Sequence, residues 1–242
     1  MAFTSWRGIV GFIKPTMRPG STEDLIRILP EGIGVIPLFC DIRSGSRDEY
    51  LEQVAPYEEK VALLAEHGVD VIHAEGSASF IVHGFAGERR ITRAWQRKYG
   101  VPVFTSGQNH IAAMKALKIK TAIGVRPGWW DKGNKTLTKY FADAGINLKH
   151  MENPGTSFDQ IGQITHYQVY ELVRKAYRKH PDVDGIYLLG SAMRVGAMIE
   201  TIERDFGLPV VSALTARCWE IQKRLCVHQP VENFGRLLRE LP

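Results

Sequence analysis

Asp70-Val-Ile-His-Ala-Glu-Gly76-Ser-Ala78 and Asp184-Gly-Ile-Tyr-Leu-Leu-Gly190-Ser-Ala192 share one frame: an acid, a short apolar run, then Gly-Ser-Ala six residues after the acid. Each run ends in small turn formers, which reads as a strand passing into a tight strand-to-helix turn. The likeness extends in both directions. Downstream, Tyr99-Gly-Val-Pro-Val103 matches Phe206-Gly-Leu-Pro-Val210, with seven more residues between turn and strand in the first copy. Upstream, Gly8-Ile-Val-Gly-Phe-Ile-Lys-Pro15 matches Lys120-Thr-Ala-Ile-Gly-Val-Arg-Pro127 more loosely. Three segments recurring in one order, about 115 residues apart, indicate a duplicated βαβ-type half; that period is too long for a solenoid.

The intervening sequence alternates between strand and helix patterns with Gly and Pro punctuation. Strands are expected at residues 8–13, 34–39, 69–74, 102–104, 121–125, 185–189 and 210–211. Helices are expected at 50–67, 87–99, 110–117, 132–144, 163–180, 195–206 and 215–225. This pattern predicts an α/β fold of two pseudo-symmetric Rossmann-like βαβ halves with parallel sheets and a ligand site between the halves. The N-terminal half is expected to take 1–117 with 226–242, and the C-terminal half 118–225.

With 242 residues, 44% of them hydrophobic, the chain can build substantial cores. The net charge of +5 is modest. The basic stretches at 87–93 and 174–180 read as exposed helix faces without the aromatic platforms that single-stranded nucleic acid needs. Cys40, Cys218 and Cys226 form no Cys-x-x-Cys pair, which argues against disulfides, zinc and secretion. They read instead as packing residues. No apolar stretch reaches the roughly 20 residues of a membrane span. The expected protein is soluble and cytoplasmic, binds neither nucleic acid nor membrane, uses no cofactor or metal, and takes a small anionic partner.

In parallel sheets, ligands sit outside the carboxyl ends of the strands. Both Gly-Ser-Ala turns fall there, and successive N–H groups at such a turn converge into an anion nest. Two nests facing each other would hold one carboxylate. The bland alternative is a pair of tight turns with serine caps.

The repeated order of strand, Gly-Ser-Ala turn, helix and Gly-Val-Pro-Val, with Gly11-Phe-Ile-Lys-Pro15 and Trp129-Trp-Asp-Lys-Gly-Asn134, resembles the aspartate/glutamate/hydantoin racemase superfamily. Within it, the chain is most similar to the arylmalonate decarboxylase and maleate cis-trans isomerase branch. The resemblance implies a cofactor-independent, homo-oligomeric enzyme that grips a substrate carboxylate with the backbone amides of two opposed turns. A thiol at one or both turns moves a proton at the adjacent carbon. Here the family's thiol positions fall on Gly76 and Gly190, or on Ser77 and Ser191 if the register slips by one. No cysteine occupies any of them. By position, Pro15, Thr16, Ala78, Ala192 and Met193 are expected to line the pocket. Trp129 stands where the family usually has a tyrosine and offers a broad apolar wall with one indole N–H.

Without thiols, two-base racemisation is disfavoured, because an unassisted serine hydroxyl is far too weak an acid or base. Decarboxylation survives better: it asks for a charge-stabilising nest around the retained carboxylate and an apolar surround for the departing one. The missing acid could be Glu75, His73 or Asp41. Glu75 precedes the first turn and is the leading candidate, with pairing to an arginine as its structural alternative. His73, His83 and His110 read more simply as interior histidines. Lys14 and Arg126, at equivalent strand ends, could meet a second carboxylate or lie in solvent. The leading expectation is a lyase decarboxylating a malonate-like acid. A maleate-type isomerase or racemase, a serine hydrolase using Ser77 or Ser191, and a non-catalytic carboxylate binder stay open.

Overall fold

The computed structural model describes residues 4–129, 131 and 134–242. Its first half runs β1 (Gly8–Lys14), α1 (Ser21–Ile28), β2 (Ile33–Phe39), α2 (Arg47–Leu51), α3 (Val54–Glu66), β3 (Val71–Ala74), α4 (Ser77–Ile81), α5 (Gly84–Tyr99), β4 (Val103–Thr105) and α6 (Ser106–Ala116). The second runs β5 (Thr121–Val125), α7 (Lys135–Asp143), β6 (Asn147–Glu152), α8 (His166–Lys179), β7 (Gly185–Leu188), α9 (Ile199–Phe206), β8 (Val210–Ser212), α10 (Ala213–Arg224) and α11 (Arg236–Glu240).

The strands form two four-stranded parallel sheets ordered β2-β1-β3-β4 and β6-β5-β7-β8. Position for position the two orders are the same, so the expected duplication holds at the level of topology. The acids that open the repeated frame have a structural job. Asp70 accepts the Ile9 N–H at 2.7 Å, and Asp184 accepts those of Lys120 and Thr121 at 3.0 and 2.8 Å. Each acid ties the start of its strand to the neighbouring central strand. The helices after β4 and β8 also start alike: Thr105 accepts from Gln108 N and Ser212 from Thr215 N, both in extended backbone.

α6 and α10 pack against each other across the halves, and one apolar cluster joins Phe12, Phe104 and Met114 to Tyr140, Tyr187 and Trp219. We propose dividing the chain between residues 117 and 118, in the turn joining α6 to β5. Residues 226–242 touch both sides: Gln229 accepts from Arg7, while α11 packs on α10 and β8.

Several expected elements shift. The helix expected over 50–67 is two helices, α2 and α3. α1 and β6 were not anticipated: α1 buries Ser21, Asp24, Leu25 and Ile28 at helical spacing, whereas β6 is an edge strand with polar residues at Asn147, Lys149 and His150. Trp130, Lys132 and Gly133, including the expected helix start at 132, lie outside the described residues. Cys226 is corrected from a packing residue: it sits beyond the end of α10, exposed, with φ +54°. Cys40 and Cys218 are buried as expected.

Candidate active site

In a sheet ordered 2-1-3-4, the chain turns opposite ways after its two central strands, leaving a crevice at their carboxyl ends. Here those ends are Lys14-Pro15 beside Glu75-Gly76 in one half, and Arg126-Pro127 beside Leu189-Gly190 in the other. The two crevices open onto a single pocket. Pro15, Gly76, Ser77 and Ala78 line it from the first half, and Pro127, Gly190, Ser191 and Ala192 from the second.

Both turns need glycine. Gly76 has φ +107° and Gly190 φ +116°, where a side chain is strained. A Cβ on Gly76 would also lie 2.7 Å from the Tyr57 hydroxyl, and one on Gly190 would lie 3.2 Å from Pro127. The turns close through Ser79 N to Gly76 O and Met193 N to Gly190 O, each 3.1 Å. The amides of Ser77 and Ala78 open α4, where the first N–H groups have no intrahelical acceptor.

The walls are apolar: Ile42, Tyr50, Trp129, Phe158, Ile161 and Leu189. The cavity measures about 130 Å³, close to the roughly 150 Å³ that accommodates one benzene. Phe158 stacks edge-to-face on Trp129 at 5.4 Å between ring centroids, and the Arg18 guanidinium lies 3.9 Å over the Phe158 ring. Arg18 also donates to the Phe158 carbonyl and pairs with Asp159 at 3.0 Å. The Trp129 indole N–H reaches the Tyr50 hydroxyl at 3.4 Å, so the indole serves chiefly as a wall.

Of the residues anticipated from sequence, Pro15, Thr16, Glu75, Gly76, Ser77, Ala78, Trp129, Gly190, Ser191 and Ala192 line the pocket. Met193 does not. It is 1% exposed and packs in the second-half core behind its turn. Glu75, expected as the leading acid or as an arginine's partner, lines the pocket from a buried position. Its carboxylate is 2% exposed and ion-paired with Arg217 at 2.7 Å, and Ser21 Oγ stands 3.5 Å away. The arginine pairing weighed against its acid role is therefore present in the structure. Asp41 is exposed, pairs with Arg43 and lies outside the pocket.

His73 is sealed between Phe12 and Phe104, with Nε2 3.4 Å from Ser106 Oγ. Burial, reinforced by Arg217, holds its pKa well below the ordinary 6.5. His110 meets the Tyr187 hydroxyl at 2.7 Å, and burial pushes it down to about 3. Neither these nor His83 lines the pocket. Burial raises Cys40 to about 11 and Cys218 to about 12, and no cysteine lines the pocket. Among the described residues, no group of three or more His, Cys, Asp or Glu stands together as a metal site. No helix among them is long and apolar enough to cross a membrane.

The pseudo-symmetry breaks at Lys14 and Arg126. The Arg126 guanidinium is spent on the loop beyond β5, donating to the Pro127 carbonyl at 2.9 Å and to Asn134 and Asp131. Lys14 is 4% exposed and lines the pocket. Sequence reasoning did not find Arg18, Ser21, Ile42, Tyr50, Ser106, Phe158 or Ile161, which come from loops and helix starts far from either turn.

Residues 28–238 match the family described as arylmalonate decarboxylase. The chain is 23% identical over 219 residues to the arylmalonate decarboxylase of Bordetella bronchiseptica, covering 84% of this chain and 91% of that one. Its fold matches the maleate isomerase Iso from Pseudomonas putida with a TM-score of 0.88 at 18% identity, over 97% of this chain and 99% of that one. It also matches a maleate cis-trans isomerase variant from Nocardia farcinica carrying a covalently bound succinylcysteine intermediate, with a TM-score of 0.84 at 22% identity over 96% and 98% of the two chains.

Proposed function

The chain belongs to the arylmalonate decarboxylase family, and from that premise we propose that it is a cofactor-independent lyase releasing carbon dioxide from a malonate-type acid. One observation carries this reading: two glycine turns at equivalent strand ends line one pocket whose remaining walls are largely apolar. The amides following Gly76 and Gly190 grip the retained carboxylate. The departing carboxylate lies against Ile42, Trp129, Phe158 and Leu189, where loss of charge as neutral carbon dioxide is favoured. As the carbon–carbon bond breaks, its electron pair spreads into the retained carboxylate, and the preorganised amides stabilise the growing negative charge.

The isomerase alternative is weakened by the same site. The Nocardia farcinica isomerase structure carries a succinylcysteine, whereas no thiol lines this pocket. The hydrolase alternative lacks a general base, because no histidine lines the pocket beside Ser77 or Ser191. Three unpaired thiols suit a reducing, cytoplasmic setting. Incubation with aryl- and alkyl-malonates labelled with ¹³C in the carboxyl groups tests the proposal. Labelled carbon dioxide with the matching monoacid supports it; cis-to-trans conversion of maleate without gas release would replace it with the isomerase reading.

A further inference from the structure

Two cations and one carboxylate cluster at one side of the pocket: Lys14 and Glu75 line it, and Arg217 lies behind Glu75. Lys14 ends β1, Glu75 follows β3, and Arg217 rises from α10. Glu75 and Arg217 balance each other's charge at 2.7 Å, though Oε1 and Nη1 lack hydrogen-bond geometry, and this leaves the cluster one positive charge in excess. That charge belongs to Lys14, whose ammonium has no carboxylate within 4.0 Å and no side-chain hydrogen bond among the described residues. Its nearest aromatic neighbour is the Phe39 ring, 5.8 Å from Nζ. A cation with so little access to water and no carboxylate in direct contact is stabilised when an anion joins it. Lys14 borders the pocket.

Other side chains on the pocket wall cannot supply a proton at neutral pH. Arginine does not deprotonate in proteins. Glu75 is committed to Arg217, and burial raises the Tyr50 hydroxyl to about 12. Among the remaining hydroxyls, Ser106 Oγ lies 3.4 Å from His73 Nε2 and Ser21 Oγ 3.5 Å from Glu75, but a serine or threonine hydroxyl is itself far too weak an acid to deliver the proton. On the lyase reading, from which this assignment follows, we infer that Lys14 is the acid that protonates the carbanion left by carbon dioxide, taking the place of the absent thiol. An N–H bond of the ammonium breaks as the new C–H bond forms. The neutral amine then recovers its proton from solvent, so each turnover consumes one proton and yields the monoacid and carbon dioxide.

The surroundings suit the role. Burial lowers the pKa of Lys14 below the ordinary 10.5; Glu75 and Glu23 oppose that shift, while Arg217 and Arg18 add to it. These four are the charged groups facing it from β3, α1, α10 and the loop after β1. A lowered value brings a lysine closer to the range in which it can both give and regain a proton.

The decisive comparison is Lys14→Arg against wild type. The variant keeps the positive charge but has no proton to release. Its kcat is expected to fall at least about 100-fold, the lower end of what a general acid contributes, with KM little changed. Wild-type kcat should lose activity along an alkaline limb below pH 10.5, and Lys14→Ala should regain turnover with added methylamine. Lys14→Arg releasing carbon dioxide at the wild-type rate, or amine failing to rescue a folded Lys14→Ala, would overturn the assignment while leaving the lyase reading intact. If wild type releases no carbon dioxide, the lyase reading fails. Exchange of the α-protons of phenylacetate in D₂O then reads Lys14 separately: Lys14-dependent exchange keeps Lys14 as the proton-transfer group of the pocket without the decarboxylation step, and its absence in wild type removes that role too.

Discussion

Arg217 Nη1 and Glu75 Oε1 stand 2.7 Å apart, with side chains only 1% and 2% exposed, at the seam where α10 of the second half meets β3 of the first. Arg217 is held further by donating Nε to the Ala213 carbonyl at 3.0 Å and lies 5.5 Å over the Phe12 ring. The Glu75 carbonyl accepts the Tyr57 hydroxyl. The pair therefore fixes the entry to the first Gly-Ser-Ala turn from the other half of the molecule.

Removing one member leaves a buried charge unpaired. Arg217→Met is expected to destabilise the fold by about 3–5 kcal/mol. Arg217→Met with Glu75→Gln should recover most of that loss. Urea denaturation of the two single variants and the double variant checks the coupling.

The turns act through backbone, so glycine matters more than serine. Gly190→Ala forces a Cβ into positive φ beside Pro127, a strain on the order of 1–3 kcal/mol. It should cost more than tenfold in kcat/KM. Ser77→Ala and Ser191→Ala retain the amides and should stay within about threefold of wild type. Steady-state assays of carbon dioxide release separate the two classes.

Thiol chemistry should be dispensable. Cys40 and Cys218 are buried, with pKa raised to about 11 and about 12, whereas Cys226 is exposed. Iodoacetamide on the native protein should label Cys226 alone, as mass spectrometry can show, with catalytic activity unchanged.

Glu88 gives the fold a pH response. It is fully buried between Thr105, whose hydroxyl donates at 2.6 Å, and the Tyr140 hydroxyl of the other half. Burial raises its pKa to about 7, against the lowering effect of both hydroxyls. The folded state thus keeps a proton that the unfolded chain has released above the ordinary 4.5. Stability should fall as pH rises through that window and level off above about 7, by on the order of 3 kcal/mol in all. Glu88→Gln, which mimics the protonated form, should flatten this part of the profile in thermal melts from pH 5 to 8.

The sequence disclosed those features that depend on residue type at fixed spacing. An acid at 70 or 184, a short apolar run, then a glycine that takes positive φ, is visible without coordinates, and it located both turns. Edge strand β6 escaped because Asn147-Leu-Lys-His-Met-Glu152 has neither a buried run nor clean alternation. Met193 was misplaced because a turn residue's direction depends on the packing behind it. The pocket's outer wall was invisible for a different reason. Tyr50, Phe158 and Arg18 meet only after segments more than 100 residues apart are folded together, and no local pattern marks them. Glu75 looked like an acid because its partner, Arg217, is 142 positions away.

The most direct test is a crystal structure with malonate or phenylacetate bound. A carboxylate seated at the seam, with its oxygens about 3 Å from the amides after both Gly76 and Gly190, is the expected result. A carboxylate held by only one turn, or bound outside the pocket, would contradict the shared grip on which the chemistry depends.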